Sequence, residues 1–229
     1  MATIVLAHGA WNGAWAWKKM RPLLTAAGHA FHTPTYTGLG ERQHLATPEV
    51  GLDTHIADLV GVIEAEELTD VTLLAHSYGG MVATGVADRV PDRIARIIYV
   101  DAIVPRNGEA VNDIMPTLRL PDGTDDWLVQ PAPLSPDNSP KDQEWILRHR
   151  CPHPARCFAQ KIQLSAEPSC PRHYIYALEY GPVDRFGPFR DRARDEPGWT
   201  LHRIDATHSP NITAPNALFG IIQDILSKA

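Results

Sequence analysis

The chain has 229 residues, of which 44% are hydrophobic and 21% are charged, and its formal net charge is -6. This composition is typical of a globular protein rather than a disordered or fibrous one, and the length suits a single α/β domain with one large core. The negative charge, without any run of Lys or Arg, argues against a nucleic-acid partner.

The N-terminus and the apolar segments predict the location of the protein in the cell. Residues 1–7 lack the basic region of a signal peptide. No apolar stretch approaches the roughly 20 residues that a bilayer-spanning helix needs. We therefore expect a cytoplasmic protein that binds no membrane, and the sequence leaves a homodimer open.

The first hundred residues alternate apolar runs with segments of helical period, which is typical of βαβ units around a parallel sheet. Strands are predicted at residues 4–7, about 29–33, 71–75 and 94–100. Helices are predicted at residues 15–27, 53–66 and 79–90, with Asp53 as the N-cap of the second. The strands are continuous apolar runs because helices cover both faces of a parallel sheet.

Residues 105–170 differ from this pattern, because they contain much of the proline and no clear strand. We expect a cap inserted after the fourth strand. Strand and helix signals then return at residues 173–177, 186–194, 199–204 and 215–226. The prediction is an α/β fold with a mostly parallel, doubly wound sheet of about six strands, in which residues 1–104 and 171–229 form the core and 105–170 the cap.

The chain has three cysteines, all in or at the end of the predicted cap. This number and grouping suit reduced thiols better than a disulfide framework. The cysteines are Cys151, Cys157 and Cys170. His149, His153 and His173 lie nearby, but the spacings match no zinc pattern. We predict neither a metal nor an organic cofactor.

Residues 75–80 (AHSYGG) stand where an apolar strand meets a helix, which is the setting of the G-x-S-x-G nucleophile elbow of α/β hydrolases. The elbow needs small residues around its serine because strand and helix backbones press together there. Ala75 replaces the first glycine, and we expect its methyl group to be tolerated. Ser77 is therefore the predicted nucleophile, although a serine here could also merely cap the helix.

A serine hydroxyl needs a base to take its proton. In α/β hydrolases that base is a histidine after the last strand. His208 lies between the final predicted strand and the final helix, and no histidine follows it. We predict that His208 is the general base.

Backbone N–H groups are predicted to stabilise the oxyanion that forms on the substrate. One comes from the residue after the nucleophile, Tyr78. The other should come from Ala10, in the loop after the first strand.

Three segments together resemble one protein family. Residues 8–15 (HGAWNGAW), 37–42 (TGLGER) and 75–80 are similar to bacterial carboxylesterases such as the pyrethroid hydrolases, and more distantly to plant methyl esterases and hydroxynitrile lyases of the α/β-hydrolase superfamily. The similarity covers about the first 105 residues well and the last 60 loosely. It implies the α/β-hydrolase fold. The plant lyases place a threonine and a lysine where this chain has Gly9 and Ser209, which favours a hydrolase.

The acid of the triad stays open between several carboxylates. In the family, the acid usually follows the strand after the cap, where our alignment falls beside Glu179 and a few residues before Asp184. Asp101 ends the fourth predicted strand, and the resemblance permits it because haloalkane dehalogenases place their acid at this strand end. Functional side chains also gather at the carboxyl ends of parallel strands. Asp101 is our first choice and Glu179 the alternative.

These residues predict a serine esterase that cleaves a small, apolar or aromatic carboxylic ester through an acyl-enzyme. The substrate pocket is expected beneath the cap, beside Tyr78 and lined by Gly9, Trp11, Trp127 and Trp145, although tryptophans more often serve core packing. The alternatives are an enzyme that acts on a C–C bond or a cyclisation, a hydroxynitrile lyase-like enzyme, and a non-catalytic receptor for a small molecule.

Overall fold

The computed structural model describes residues 1–115, 126–134, 138–178 and 184–228. The sheet strands are β1 (Thr3–Ala7), β2 (Ala30–His32), β3 (Val71–His76), β4 (Ile94–Val100), β7 (Arg172–Ala177) and β8 (Trp199–Ile204). Among the described residues, these six strands form one sheet in the order β2-β1-β3-β4-β7-β8, and every pairing in it is parallel. All six correspond to predicted strands.

Helices connect these strands. The longer ones are α1 (Met20–Ala26), α2 (Leu52–Ala65), α3 (Gly79–Arg89), α5 (Pro140–His149), α7 (Gly187–Asp195) and α9 (Pro215–Ser227). The short ones are α4 (Val111–Ile114), α6 (Arg156–Ala159) and α8 (Pro210–Thr213). The described chain also has 3-10 helices at Ala14–Trp17, Gly40–Leu45 and Pro91–Arg93.

Two helix predictions need correction. The predicted helix at residues 15–27 is a 3-10 turn followed by the shorter α1. Asp53 is not the N-cap of α2, because that helix begins at Leu52 and Gly51 takes the cap position. The Gly51 N–H donates to the Thr54 hydroxyl over 3.3 Å, so the side chain that serves this end lies inside the first turn.

The sheet divides the hydrophobic core into two layers, because successive side chains of a strand point to opposite faces. Leu73 and Ala75 belong to the layer shared with α2 and α3. Leu74 belongs to the layer shared with α1 and α9. Helices on both faces explain why the central strands are apolar throughout.

Residues 105–170, which we call the cap segment, lie between β4 and β7 in the chain. The segment holds α4, α5, α6 and a short antiparallel pair formed by β5 (Leu128–Val129) and β6 (His153–Pro154). The sequence predicted no strand here, since two residues are too few to reveal an alternating pattern. The division into core and cap domains stays a prediction. In the described part of the chain, no helix has the length and apolar character to cross a bilayer.

The parallel sheet gathers polar residues at one edge, where β1, β3, β4 and β8 all end. His8 follows β1, Ser77 follows β3 and Asp101 follows β4. His208 lies in the loop between β8 and α8. Residues far apart in the sequence therefore meet above the carboxyl ends of these strands, where α/β proteins place their sites.

Candidate active site

Ser77 occupies a strained turn between β3 and α3, with φ at +55°. The two glycines after it allow α3 to approach closely, since a Cβ on Gly79 would overlap the carbonyl oxygen of Ala7, and one on Gly80 would overlap that of Ile103. Ala75 is fully buried in the core. The turn therefore presents Ser77, which the sequence predicted as nucleophile, partly exposed at the sheet edge.

The Ser77 hydroxyl faces His208. Its Oγ lies 3.0 Å from His208 Nε2. The His208 side chain is 35% exposed, so part of it is in contact with solvent. This distance suits the direct transfer of a proton from the hydroxyl to the ring.

Asp101 lies on the other side of the imidazole, with Oδ2 2.6 Å from His208 Nδ1. The residue is fully buried and its φ is +44°. Its N–H donates to the Ile175 carbonyl at 2.8 Å, and the Ala177 N–H donates to Oδ1 at 3.4 Å. Contacts from β7 therefore hold a buried carboxylate against the histidine.

The two other predicted acids lie elsewhere or outside the described residues. Asp184 accepts hydrogen bonds from the Tyr176 hydroxyl at 2.7 Å and from the Arg190 guanidinium at 2.9 Å. These partners occupy its Oδ2 atom. Glu179 lies outside the described residues.

Two rings flank the His208 imidazole. His76 Nε2–H donates to the His208 carbonyl over 2.7 Å, and the two rings lie 4.9 Å apart. Phe186 stacks on the imidazole at 4.7 Å with 21° between the planes. Burial lowers the pKa of His76 to about 3, so this ring is neutral at physiological pH and holds the histidine loop without adding charge.

Ala10 and Tyr78, the predicted oxyanion-hole residues, are both buried. In the described part of the chain, neither backbone N–H has a protein acceptor. A Cβ built on Gly9 would lie 3.3 Å from Ser77 Cβ, so the loop after β1 runs directly beside the serine. The loop and the turn beside the serine therefore each contain a buried N–H without a protein partner among the described residues, and an oxyanion hole needs such donors.

Sequence comparison matches residues 4–220 to the model of the alpha/beta hydrolase family. The chain belongs to this family. The predicted α/β-hydrolase fold is thereby confirmed.

Individual relatives of this α/β hydrolase also support the resemblance. It is 36% identical over 236 residues to a carbendazim hydrolyzing esterase of Nocardioides sp. (strain SG-4G), a match that covers 95% of this chain and 97% of the relative. It is 33% identical over 108 residues to the pyrethroid hydrolase of Sphingobium wenxiniae, covering 46% and 37% of the two chains. A solved Arabidopsis methylesterase has a TM-score of 0.83 at 24% identity over the full length of both chains.

The predicted pocket tryptophans of this α/β hydrolase lie in different environments. Trp11 is buried next to Ala10, and its indole N–H donates to the Val129 carbonyl at 3.0 Å. Trp127 is half-buried. Trp145 packs edge-on against Trp15 at 5.4 Å, so it joins α5 to the 3-10 turn after β1. Trp145 is buried in a small hydrophobic cluster with Ile146 and Ile212, separate from the two core layers.

The cap histidines and cysteines do not gather as one group. His153 and Cys157 instead meet His55 of α2, and one ligand-type atom from each lies within 4.8 Å of the others. Both nitrogens of His55 already have protein partners, the Tyr78 hydroxyl and the Thr37 carbonyl, each at 3.0 Å. In this hydrolase, hydrogen bonds within the protein therefore occupy the His55 member of the cluster. His149 is exposed and His173 pairs with His202.

Sequence reasoning assigned no role to His76, Phe186 or His55, all of which contact predicted site residues. A signal existed for His76, because it is a polar residue that follows the apolar run Leu73–Ala75 and stands directly before the serine. His55 and Phe186 gave no local signal in the sequence, because their contacts depend on how α2 and α7 pack.

Proposed function

We propose that this protein is a carboxylic ester hydrolase that works through an acyl-enzyme on Ser77, with His208 as general base and Asp101 as the triad acid. The observation that carries the proposal is the continuous chain of contacts from Ser77 Oγ to His208 at 3.0 Å and from His208 to Asp101 at 2.6 Å. Relatives named as esterases, one of which matches 95% of this chain, support the same class.

In the first step, Ser77 Oγ attacks the ester carbonyl carbon while its proton passes to His208 Nε2. The buried Asp101 carboxylate stabilises the imidazolium that results. The Ala10 and Tyr78 N–H groups donate to the oxyanion. The tetrahedral intermediate then collapses, the C–O bond to the alcohol breaks, and His208 returns the proton to the leaving alcohol.

In the second step, water attacks the acyl-enzyme while His208 removes its proton, and the acid product leaves as Ser77 recovers its hydrogen. The substrate we propose is a small apolar or aromatic ester. The buried aromatic surroundings of the elbow support this choice, as does a relative named for hydrolysing carbendazim. The side chains of Trp11 and Trp127 are the remaining candidates for pocket walls.

The test combines a fluorophosphonate probe with p-nitrophenyl acetate. The wild-type chain should be labelled at Ser77 and release nitrophenol in a burst followed by steady turnover. S77A should lose both signals, with k_cat reduced by about 10⁶. S227A, which alters an exposed serine at the end of α9, is the matched control and should behave as wild type.

The outcome can also reject the proposal. Labelling of Ser77 without turnover of any ester would favour a receptor or another chemistry on the same elbow. Full hydrolysis by S77A would remove Ser77 from the mechanism.

A further inference from the structure

Trp11, directly after Ala10 in the oxyanion loop, has a left-handed backbone with φ at +62°. A bulky residue adopts this conformation only when its surroundings hold it there. The loop is already fixed on one side, because the Gly9 backbone runs against the elbow, and a Cβ there would lie 3.0 Å from His76 Nδ1. Whatever holds Trp11 therefore fixes Ala10 from the other side.

The cap segment supplies three hydrogen bonds that hold Trp11. Its backbone N–H donates to His153 Nδ1 at 3.3 Å. Its carbonyl accepts from the Cys151 N–H at 3.3 Å, and its indole N–H donates to the Val129 carbonyl at 3.0 Å. Both backbone polar groups and the side-chain donor of one residue thus depend on a segment that lies more than 100 positions away.

Of the three partners of Trp11, His153 contributes its side chain, whereas Cys151 and Val129 contribute backbone groups. His153 is fully buried, and burial holds its pKa well below the ordinary value, so the ring is neutral. Because Nδ1 accepts from Trp11, the ring hydrogen must lie on Nε2. That Nε2 has no hydrogen-bond partner among the residues that the structure describes. A buried N–H without a partner is costly, so an apolar side chain would suit this position better unless the Nδ1 acceptor has a use.

We propose that His153 is a positioning residue for the oxyanion hole, which holds the Ala10 N–H beside Ser77 by accepting a hydrogen bond from the Trp11 N–H. This inference rests on the proposed ester hydrolysis. It gives the cap segment a role in the chemical step, separate from any role in choosing the substrate.

The second oxyanion donor is held in a parallel way. The Tyr78 hydroxyl bonds to His55 Nδ1 at 3.0 Å, and the His55 ring lies 5.5 Å from that of His153. One imidazole from the core and one from the cap segment therefore support the two donors.

Three substitutions separate positioning from packing. H153F keeps a ring of similar size but removes the acceptor. H153N places an amide oxygen close to the position of Nδ1, whereas H153Q places it one bond farther, near Nε2. With p-nitrophenyl acetate we expect H153F and H153Q to lower k_cat about tenfold or more with KM within about twofold, since loss of an oxyanion donor costs about 10²–10³ and a displaced donor part of that. H153N should stay within about threefold of wild type.

A transition-state analogue gives a readout that a merely structural role would not move. An aryl trifluoromethyl ketone, which forms an oxyanion on the serine, should bind H153F and H153Q more weakly by the same factor as k_cat falls. The matching aryl methyl ketone should bind all variants alike. H149N and H149Q change an exposed histidine of the same segment in the same way and should leave k_cat unchanged.

Equal k_cat values for H153N and H153Q would overturn the inference, as would unchanged binding of the trifluoromethyl ketone. Urea unfolding checks that each variant folds. If H153F does not fold, the comparison of the Asn and Gln variants decides, and failure of both to fold would also overturn it by making His153 a folding residue. Failure of the proposed function is distinct, since then wild type would lack esterase activity or S77A would retain it.

Discussion

Asp101 is fully buried, although its proposed role is in a reaction at the surface. Its carboxylate is out of contact with water, and a buried charge is tolerated only when hydrogen bonds and an opposite charge compensate for its lost hydration. The Ala177 N–H supplies one bond at all times. In the proposed mechanism, His208 supplies the opposite charge when it takes a proton. The carboxylate then stabilises the His208 imidazolium most strongly.

The choice between carboxylates gives a prediction at this scale. D101N should lower k_cat by about 10⁴, because the amide can hold the imidazole in the wrong tautomer and offers no charge to the imidazolium. D184N should lower k_cat by less than about threefold, since Asp184 is bonded to Tyr176 and Arg190. Steady-state kinetics with p-nitrophenyl acetate measure both. A large loss in D184N, with D101N active, would reverse the assignment.

At the scale of an element, the first turn of helix α3 shows how close backbone packing positions a residue. Its first turn lies so close to β1 and to the residues after β4 that Gly79 and Gly80 have no room for a methyl group. The neighbouring atoms are backbone carbonyl oxygens, which cannot move without shifting the strands. The close approach positions Ser77, so the elbow depends on backbone packing rather than on side chains.

Glycine-to-alanine substitutions should therefore have opposite effects in different helices. G80A should unfold the elbow or lower the free energy of unfolding by several kcal/mol, because the Cβ meets the Ile103 carbonyl. G61A lies in α2, where a Cβ would meet nothing within 4 Å, and should raise that free energy by about 1 kcal/mol. Urea unfolding followed by circular dichroism measures both. Equal stability of G80A and wild type would contradict the packing.

Across the whole molecule, buried histidines link stability to pH. Burial is the main cause of a lowered pKa in each of four: to about 4 in His8, to about 3 in His55 and His76, and well below the ordinary value in His153. Between about pH 6.5 and these folded-state values, the unfolded chain binds protons that the folded chain does not. Stability is therefore fully present above about pH 6.5 and is lost as the pH falls.

The corresponding experiment follows the free energy of unfolding between pH 8 and pH 5. It should be level down to about pH 7 and then decrease, with each buried histidine contributing up to about 1.4 kcal/mol per pH unit. Carboxylates bind protons mainly at lower pH, so this window isolates the histidines. H153F removes one of these buried histidines, so it should make the decrease of the free energy of unfolding with falling pH less steep by up to one proton. A level curve to pH 5 would show that these histidines are charged in the folded state.

The sequence predicted the strands β1, β3 and β4 because they are mainly apolar runs. The more polar β2, β7 and β8 were predicted from β-branched and aromatic residues or from their place between helical segments. Ser77 and His208 were predicted because their positions in the strand order are distinctive. It could rank Asp101 among the acids only from its place at a strand end. The contact between Trp11 and His153 joins residues 142 positions apart. No local pattern encodes such a pairing, because it depends on how the cap segment packs on the core. The strands β5 and β6 were missed for a related reason, since they form only by pairing with each other.

Five non-glycine residues of the described chain have left-handed backbones, and three of them, Trp11, Ser77 and Asp101, lie at the sheet edge where we propose that the reaction takes place. Backbone strain is therefore concentrated at the residues that the proposed chemistry needs most. Substitutions that relieve this strain would be the easiest way to raise thermal stability, and each of them would lower the rate of turnover. A lineage adapting to hot environments would have to strengthen the remainder of the fold instead.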